Sequence, residues 1–478
     1  MVKKNAIVAV DIENVTAKGF GIARVNDFVL FTEGGLTGDK LSVRVIKVKP
    51  RYGYGKILKI LRPSPHRIES PCPVSGKCGG CQWQDCDYQA QLGFKKDIVK
   101  DAFARIGGID DAPVADVIGM DTPQPYRNKA VFPIVPANGG FEIGMYAPRS
   151  HRIIPIEECA IQHPAHIPVL KALRQHMSHY KISAYDEIAH KGVMRYVVVR
   201  TSKATGEIMV VLVVNGNGVP HESILTAALT EAGATTIVIN RHKEKNNTVM
   251  GDHFRVVIGE GFIREQIGQV WYQLSAPSFF QINPVQTAVL YSIATDMAGL
   301  TGNEVVLDAH VGVGGVALQA ASQAKEVIGV DIVPEAISDA EKNAAINGIE
   351  NARFICGAAE DVIPEMLTQG IEADDIEEGA LAQGRRVVDS NDEIPAISGT
   401  MPDVVFLDPP RKGCEKELLD ALIAAEVKTI VYISCDPATL ARDVKRLIEG
   451  GYTLAAAQPV DMFPMTGKVE VCCKLVRL

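Results

Sequence analysis

From Trp271 to the C-terminus, short apolar runs alternate with helix-like stretches, and this alternation constrains the fold more than any other feature of the chain. Glu304-Val-Val-Leu-Asp308 reads as a strand, followed by the glycine-rich turn Gly312-Val-Gly-Gly315 and a helix. Glu326-Val-Ile-Gly-Val-Asp331 is the next strand, ahead of a helix from Pro334 to about Asn347. Arg353-Phe-Ile-Cys356, Asp403-Val-Val-Phe-Leu-Asp408 and a strand from Thr429 to Ser434 follow. Strands separated by helices run mainly parallel, because a parallel partner needs a long crossover. The expected fold class is α/β with a doubly wound sheet. Residues 370–400 interrupt the pattern. Positions 370–393 carry 2 basic against 8 acidic residues, a net of −6, and read as a mobile loop insertion.

Open α/β sheets place ligands beyond the carboxyl ends of their strands, so residues there are the candidates for chemistry. Cys435 follows the fifth strand, just before Pro437, which cannot extend a sheet ladder. The next stretch, Ala438-Thr-Leu-Ala-Arg-Asp443, reads as a helix whose N-terminus favours a thiolate. The plainer reading is a small core cysteine. Asp408-Pro-Pro-Arg-Lys-Gly413 makes a rigid acidic edge at another strand end, with a structural turn as the alternative. The glycine turn lets backbone approach a ligand, and Asp331, about twenty residues beyond Asp308, can take ribose hydroxyls. A nicotinamide dinucleotide would suit that spacing, but the turn begins at a carboxylate, which repels a pyrophosphate. A sulfonium tolerates it, which favours S-adenosylmethionine. Glu360 can reach an adenine edge or stay at the surface. Glu470 opens a strand-like run to Val476; it faces solvent by default, and is a base if aimed into the cleft.

The first half of the chain is different. Residues 1–67 hold 13 Lys/Arg against 5 Asp/Glu, a net of +8, although the whole chain is at −8. Ala6–Val10, Asp27–Phe31 and Leu41–Val48 read as strands, with Gly19-Phe-Gly21 and Gly34-Gly35 as turns, which suggests a small barrel of the oligonucleotide-binding kind. Lys47, Lys49, Arg51, Lys56, Lys59 and Arg62, interleaved with Tyr52 and Tyr54, offer phosphate contacts and stacking faces, or a merely solvated basic face. Cys72, Cys78 and Cys81 then cluster around a Gly-Gly turn, and a four-thiolate site needs one more ligand, from Cys86 or the distant Cys159. Zinc and an iron–sulfur cluster both fit that spacing. Residues 110–270 read as mixed α/β, with basic turns at Tyr126-Arg-Asn-Lys129 and Arg149-Ser-His-Arg152. No leader-like segment and no apolar run of about 18 residues is present, so a cytoplasmic location without membrane insertion is expected.

Taken in order, these motifs resemble the RNA uridine C5-methyltransferase family, in its iron–sulfur branch that methylates ribosomal RNA. The resemblance spans nearly the whole chain and includes Ser278-Phe-Phe-Gln-Ile-Asn283, Asp308–Gly315, Asp408–Arg411, Ser434–Pro437 and Asp461-Met-Phe-Pro464 with Glu470. It implies a TRAM-like RNA-binding barrel over 1–66, a central cluster-bearing domain over 67–270, and a Rossmann-like methyltransferase domain over 271–478. It implies Cys435 as nucleophile, Glu470 as general base and Asp408 as an orienting acid. Gln281, Asp308, His310 (a usually aromatic position), Gly312, Asp331, Glu360 and Asp408 correspond to the S-adenosylmethionine site. Cys72, Cys78, Cys81 and Cys159 correspond to ligands of a [4Fe-4S] cluster. Lys468 stands where the family usually has histidine. The implied partner is 23S ribosomal RNA, met by a monomer; transfer RNA, or RNA binding without catalysis, are the alternatives.

Overall fold

The computed structural model describes residues 2–369 and 401–477, so the acidic stretch at 370–400 lies outside the described residues. The chain divides into two compact units. One comprises Met1–Ile98, Gly119–Ile263 and Asp461–Val469; the other comprises Val99–Ile118, Arg264–Val460 and Glu470–Leu478.

The first unit opens with β1 (Ile7–Asp11), β2 (Asn14–Val15), β3 (Phe20–Val25), β4 (Phe28–Glu33), β5 (Lys40–Val48) and β6 (Tyr52–Arg62). They form one curled sheet in the order β1-β5-β6-β4-β3-β2. Its interior is Val10, Ile12, Ala23, Leu30, Leu41, Val43 and Val45. Asp39, fully buried, accepts the Leu36 and Ser64 N–H groups at 2.8 Å and Arg67 Nε at 2.9 Å, so its charge is matched on every side. Gly21 lies within β3 rather than in a turn. A Cβ there would stand 2.9 Å from the Gly35 carbonyl oxygen, so glycine serves a close approach, not a reversal.

A second sheet follows, built from β7 (Lys129–Ala137), β8 (Gly140–Tyr146), β9 (Ile153–Pro155), β10 (Met194–Thr201), β11 (Ile208–Val214), β12 (Thr236–Arg241) and β13 (His253–Ile258). Its order is β13-β12-β11-β10-β7-β8-β9. Helix α1 (Tyr88–Ala102) precedes it in sequence; α2 (His166–His179) and α3 (Glu222–Glu231) pack on it. Strand β11 is buried at every position from Met209 to Val214, which accounts for its unbroken apolar run.

The second unit carries the sheet foreseen from the alternation. After β14 (Phe262–Ile267), β15 (Val270–Ser275) and α4 (Pro284–Ala298) come β16 (Val305–Asp308), α5 (Gly315–Ala321), β17 (Glu326–Asp331), α6 (Pro334–Ile346), β18 (Ala352–Cys356) and α7 (Ala359–Gln369). Then follow β19 (Val404–Leu407), α8 (Lys416–Ala424), β20 (Thr429–Ser434), α9 (Pro437–Glu449), β21 (Tyr452–Val460) and β22 (Glu470–Arg477). The order is β18-β17-β16-β19-β20-β22-β21. Strands β16 to β20 pair in parallel, and β22 runs antiparallel to both neighbours. Strand order reverses between β16 and β19, so the crevice at their carboxyl ends is the expected ligand position.

Candidate active site

Five strands of the second unit deliver side chains to one edge of the sheet. Asp308 ends β16, Asp331 ends β17, Asp408 follows β19 and Cys435 follows β20. Glu470 begins the antiparallel β22, so it lies at that same edge. The β20–β22 register ends at Ser434 opposite Val471. Carried one residue further, it sets Cys435 against Glu470. Cys435 is partly exposed and outside any disulfide, whereas Glu470 is buried. Behind Cys435 the chain turns sharply: Asp436 accepts the Ala438 and Thr439 N–H groups at 3.0 and 3.3 Å, and Pro437 opens α9.

The glycine turn is shaped by Asp331. One carboxylate oxygen accepts the Gly312 N–H at 2.9 Å, and the other the Val333 N–H at 2.9 Å. Gly312 and Gly314 have φ of 54° and 94°, the left-handed region that glycine occupies freely. Asp308 accepts the His310 N–H at 3.1 Å. Burial, reinforced by Asp408 and Asp331, raises Asp308 to about 7. Burial also raises Asp408 to about 7. His310 is driven the other way, to about 4, by burial and then by the Lys412 charge, so the ring is neutral. Among the described residues its Nδ1 has no hydrogen-bond partner.

Gln281 is buried in the segment between β15 and α4. That segment is held by Ser278, whose hydroxyl donates to Asp339 at 2.6 Å, and by Asn283, which caps α4 through the Gln286 N–H at 3.3 Å. Phe280 is buried against Tyr272, their centroids 5.3 Å apart, while Phe279 beside it is 74% exposed. Glu360 sits in the first turn of α7, within range of the Lys412 charge. The Asp408 loop is tied down at its far end by Asp443, which accepts the Cys414 N–H at 3.0 Å and the Tyr432 hydroxyl at 2.7 Å.

One residue at this edge carries no sequence signal. Tyr291 of α4 is buried, and burial raises its hydroxyl well above the ordinary value; Tyr272, Asp408, Asp308 and Glu470 all push in the same direction. Three of the foreseen acids therefore lie within electrostatic range of one phenol. A side chain at Gly315 would place its Cβ 2.6 Å from that phenol oxygen.

The cysteines lie in the first unit. Burial raises Cys78, Cys81 (to about 12) and Cys159, and neighbouring thiols add to each. Cys159 acts on Cys78 and Cys81, and Cys72 acts on Cys78 and Cys159, so these four are neighbours. Gly80 N–H and Gln84 Nε2 donate to the Cys78 and Cys81 sulfurs at 3.4 and 3.5 Å. The Arg127 guanidinium acts on Cys78, Cys81 and Cys159. Cys86 is elsewhere, buried with Val15, Leu36, Trp83 and Phe94. Among the described residues no group of three or more His, Cys, Asp or Glu side chains is arranged to hold a metal ion.

A seven-stranded sheet of this order, with acids and a glycine turn at its switch point, defines a doubly wound methyltransferase domain. Residues 87–478 match the family described as tRNA (uracil-5-)-methyltransferase, and residues 2–58 match the TRAM domain. The chain belongs to that RNA (uracil-5-)-methyltransferase family and carries an N-terminal TRAM barrel. An uncharacterized RNA methyltransferase of Halalkalibacterium halodurans is 43% identical over 471 residues, 98% of this chain and 96% of that protein. One from Clostridium tetani is also 43% identical, with the same coverage. Among solved structures, Pyrococcus abyssi tRNA (uracil-54, C5)-methyltransferase in complex with S-adenosyl-L-homocysteine is 25% identical, covers 98% of this chain and 100% of its own, and superposes with a TM-score of 0.74. No helix among the described residues is long and apolar enough to cross a membrane.

Proposed function

We propose that this chain transfers a methyl group from S-adenosylmethionine to C5 of a uridine in ribosomal RNA, with Cys435 as nucleophile and Glu470 as base. The observation that carries the reading is the meeting of β20 and β22, which brings a partly exposed thiol and a buried carboxylate to the edge where Asp308, Asp331 and Asp408 stand. Uracil C5 is a weak nucleophile. Addition of the Cys435 thiolate to C6 moves the ring electrons to C5 and O4, and C5 then takes the methyl group. Glu470 removes the C5 proton; the C5–C6 double bond re-forms as the sulfur leaves with its electron pair. Asp408 orients the uracil by hydrogen bonding. Gln281, His310, Gly312, Asp331 and Glu360 line the donor side. A base paired within folded RNA must be splayed out to enter. The exposed Phe279 ring is a surface on which it can stack. The 1–66 barrel docks the RNA, the 67–270 region supports it, and 271–478 performs the transfer, in a cytoplasmic monomer.

Cys72, Cys78, Cys81 and Cys159 are proposed to hold a [4Fe-4S] cluster. The donor set fits: Cys78, Cys81 and Cys159 are each pushed up by neighbouring thiols, Cys72 among those neighbours, with a guanidinium beside them. Bound there, the cluster would brace the central domain.

Ribosomal RNA is what the resemblance to the family's iron–sulfur branch implies for a chain with that cysteine set and a TRAM barrel. Transfer RNA is the second reading, favoured by the likeness to the Pyrococcus enzyme. Nucleoside mapping of RNA from cells with and without the protein decides between them. The expected result is loss of one or more 5-methyluridines from 23S RNA; loss from transfer RNA alone would overturn the ribosomal assignment.

Asp308 and Asp408, both raised to about 7, also fix a pH dependence. In the unfolded chain each titrates at about 3.9, so the folded protein holds these protons more tightly and loses stability as pH rises from about 4 through about 7. A sulfonium favours the ionised acids. Donor binding is therefore expected to weaken below pH 7, by about tenfold per pH unit for each proton displaced. Calorimetry in buffers of different ionisation heat measures this, and Asp408→Asn should flatten the profile.

A further inference from the structure

In the barrel β6, β4 and β3 lie side by side. Alternation sends Ala23, Leu30, Thr32, Gly53 and Gly55 inward, where they are buried. The outward positions would ordinarily be polar. Here they hold Phe20, Phe31, Tyr52 and Tyr54. The rings are continuous across three strands: Phe31 to Tyr54 is 5.7 Å, Phe31 to Tyr52 5.8 Å, Tyr52 to Tyr54 5.8 Å and Phe20 to Tyr54 6.0 Å. The Tyr-Gly-Tyr-Gly pattern of β6 enforces this. A Cβ on Gly55 would stand 2.2 Å from Val43 Cγ1, so only the outward positions of that strand can carry bulk.

The rim of this aromatic face is basic. Lys47 pairs with Tyr54 across β5 and β6, Lys49 and Arg51 sit exposed in the turn between those strands, and Lys56 continues the outward row. The Arg149 guanidinium lies 5.6 Å from the Phe20 centroid and pairs with Glu33. The Arg149 loop is itself braced by the cysteine loop, where the Gly79 N–H donates to the Tyr146 carbonyl at 2.9 Å. The ring planes are inclined to one another by 35° to 81°, which makes a ridged aromatic surface rather than a flat one. Such ridges rimmed by cations suit separate unpaired bases on a phosphate chain, and a duplex offers no free base faces.

We infer that the outward face of the barrel, Phe20, Phe31, Tyr52 and Tyr54 with Arg149, is a stacking platform for a single-stranded RNA segment outside the reacting nucleotide. The inference rests on the RNA substrate of the proposed function but not on its chemistry, because the test involves no donor and no turnover. The test measures binding of the full chain to a labelled, unstructured uridine-rich oligonucleotide and to an RNA duplex of equal length, by fluorescence anisotropy over a range of salt. Tyr52 is 37% exposed and lies outside the barrel's buried interior, and a thermal melt checks that its replacement leaves the fold intact. Tyr52→Ala is expected to weaken single-strand binding about tenfold with an unchanged salt slope, while duplex binding stays at the wild-type level. Tyr52→Phe, which keeps the ring, should bind as wild type. Unaltered single-strand binding by Tyr52→Ala, or an equal loss on the duplex, would overturn the platform. Photocrosslinking of wild-type protein to a 4-thiouridine oligonucleotide gives a second reading, with adducts expected on the peptide containing Tyr52 and Tyr54; crosslinks confined to other peptides would also overturn it.

Discussion

Cys435→Ala is expected to abolish methyl transfer, with a fall in turnover on the order of 10⁴ or more. The size of the effect follows from the chemistry. Without a sulfur adding to C6, nothing makes C5 reactive, and no other group at the sheet edge can replace the thiolate. The change removes only one sulfur from a partly exposed position, so the sheet and the α9 cap formed by Asp436 stay in place. RNA and donor binding should persist. Cys435→Ser should be equally inactive, because a hydroxyl does not ionise at neutral pH. Initial rates with labelled donor, measured alongside equilibrium binding, check this; binding lost together with turnover would point to a structural cysteine.

Lys95→Met is expected to destabilise the first unit strongly. Lys95 and Asp461 are both fully buried and paired with each other. Asp461 also accepts the Tyr88 hydroxyl at 2.9 Å and the Phe463 N–H at 3.1 Å, and the Lys95 ammonium donates to the Phe463 carbonyl at 3.0 Å. Burial pulls the Lys95 ammonium below its ordinary value, while Asp461 opposes that shift. Removing the lysine strands a carboxylate where water cannot reach it, at a cost of about 3–5 kcal/mol. Lys95→Met with Asp461→Leu should recover most of the loss, because the pair is balanced against its own desolvation. Denaturant melts of the single and double variants measure both. The Asp461–Val469 segment leads directly into Glu470, so the single variant should also lose activity at temperatures below its melt.

The contrast between foreseen and unforeseen residues is physical. Asp308, Asp331, Asp408 and Cys435 were legible because each ends a β-branched run, and the end of a buried strand is a position that sequence can mark. Glu470 was legible from the run behind it, but its partner across the sheet was not; that depends on β22 running antiparallel to β20. Tyr291 was invisible. It sits on a helix among other buried residues, and only tertiary packing brings it within electrostatic range of three acids. Strand β6 was missed because two glycines break its alternation, although they are what turns the tyrosines outward. The choice between Cys86 and Cys159 was a question of distance in space, and the structure sets Cys159 with the other three thiols and Cys86 in a core.

The sulfur–pyrimidine adduct is tested most directly by mass spectrometry of Glu470→Gln protein incubated with RNA and methyl donor. With the proton acceptor gone, methylation should stall before the sulfur leaves. The expected product is a methylated nucleotide bound to the Cys435 peptide, stable to denaturation and absent when Cys435→Ala is combined with Glu470→Gln. Free 5-methyluridine released by Glu470→Gln at the wild-type rate, or an adduct that survives loss of Cys435, would contradict the account.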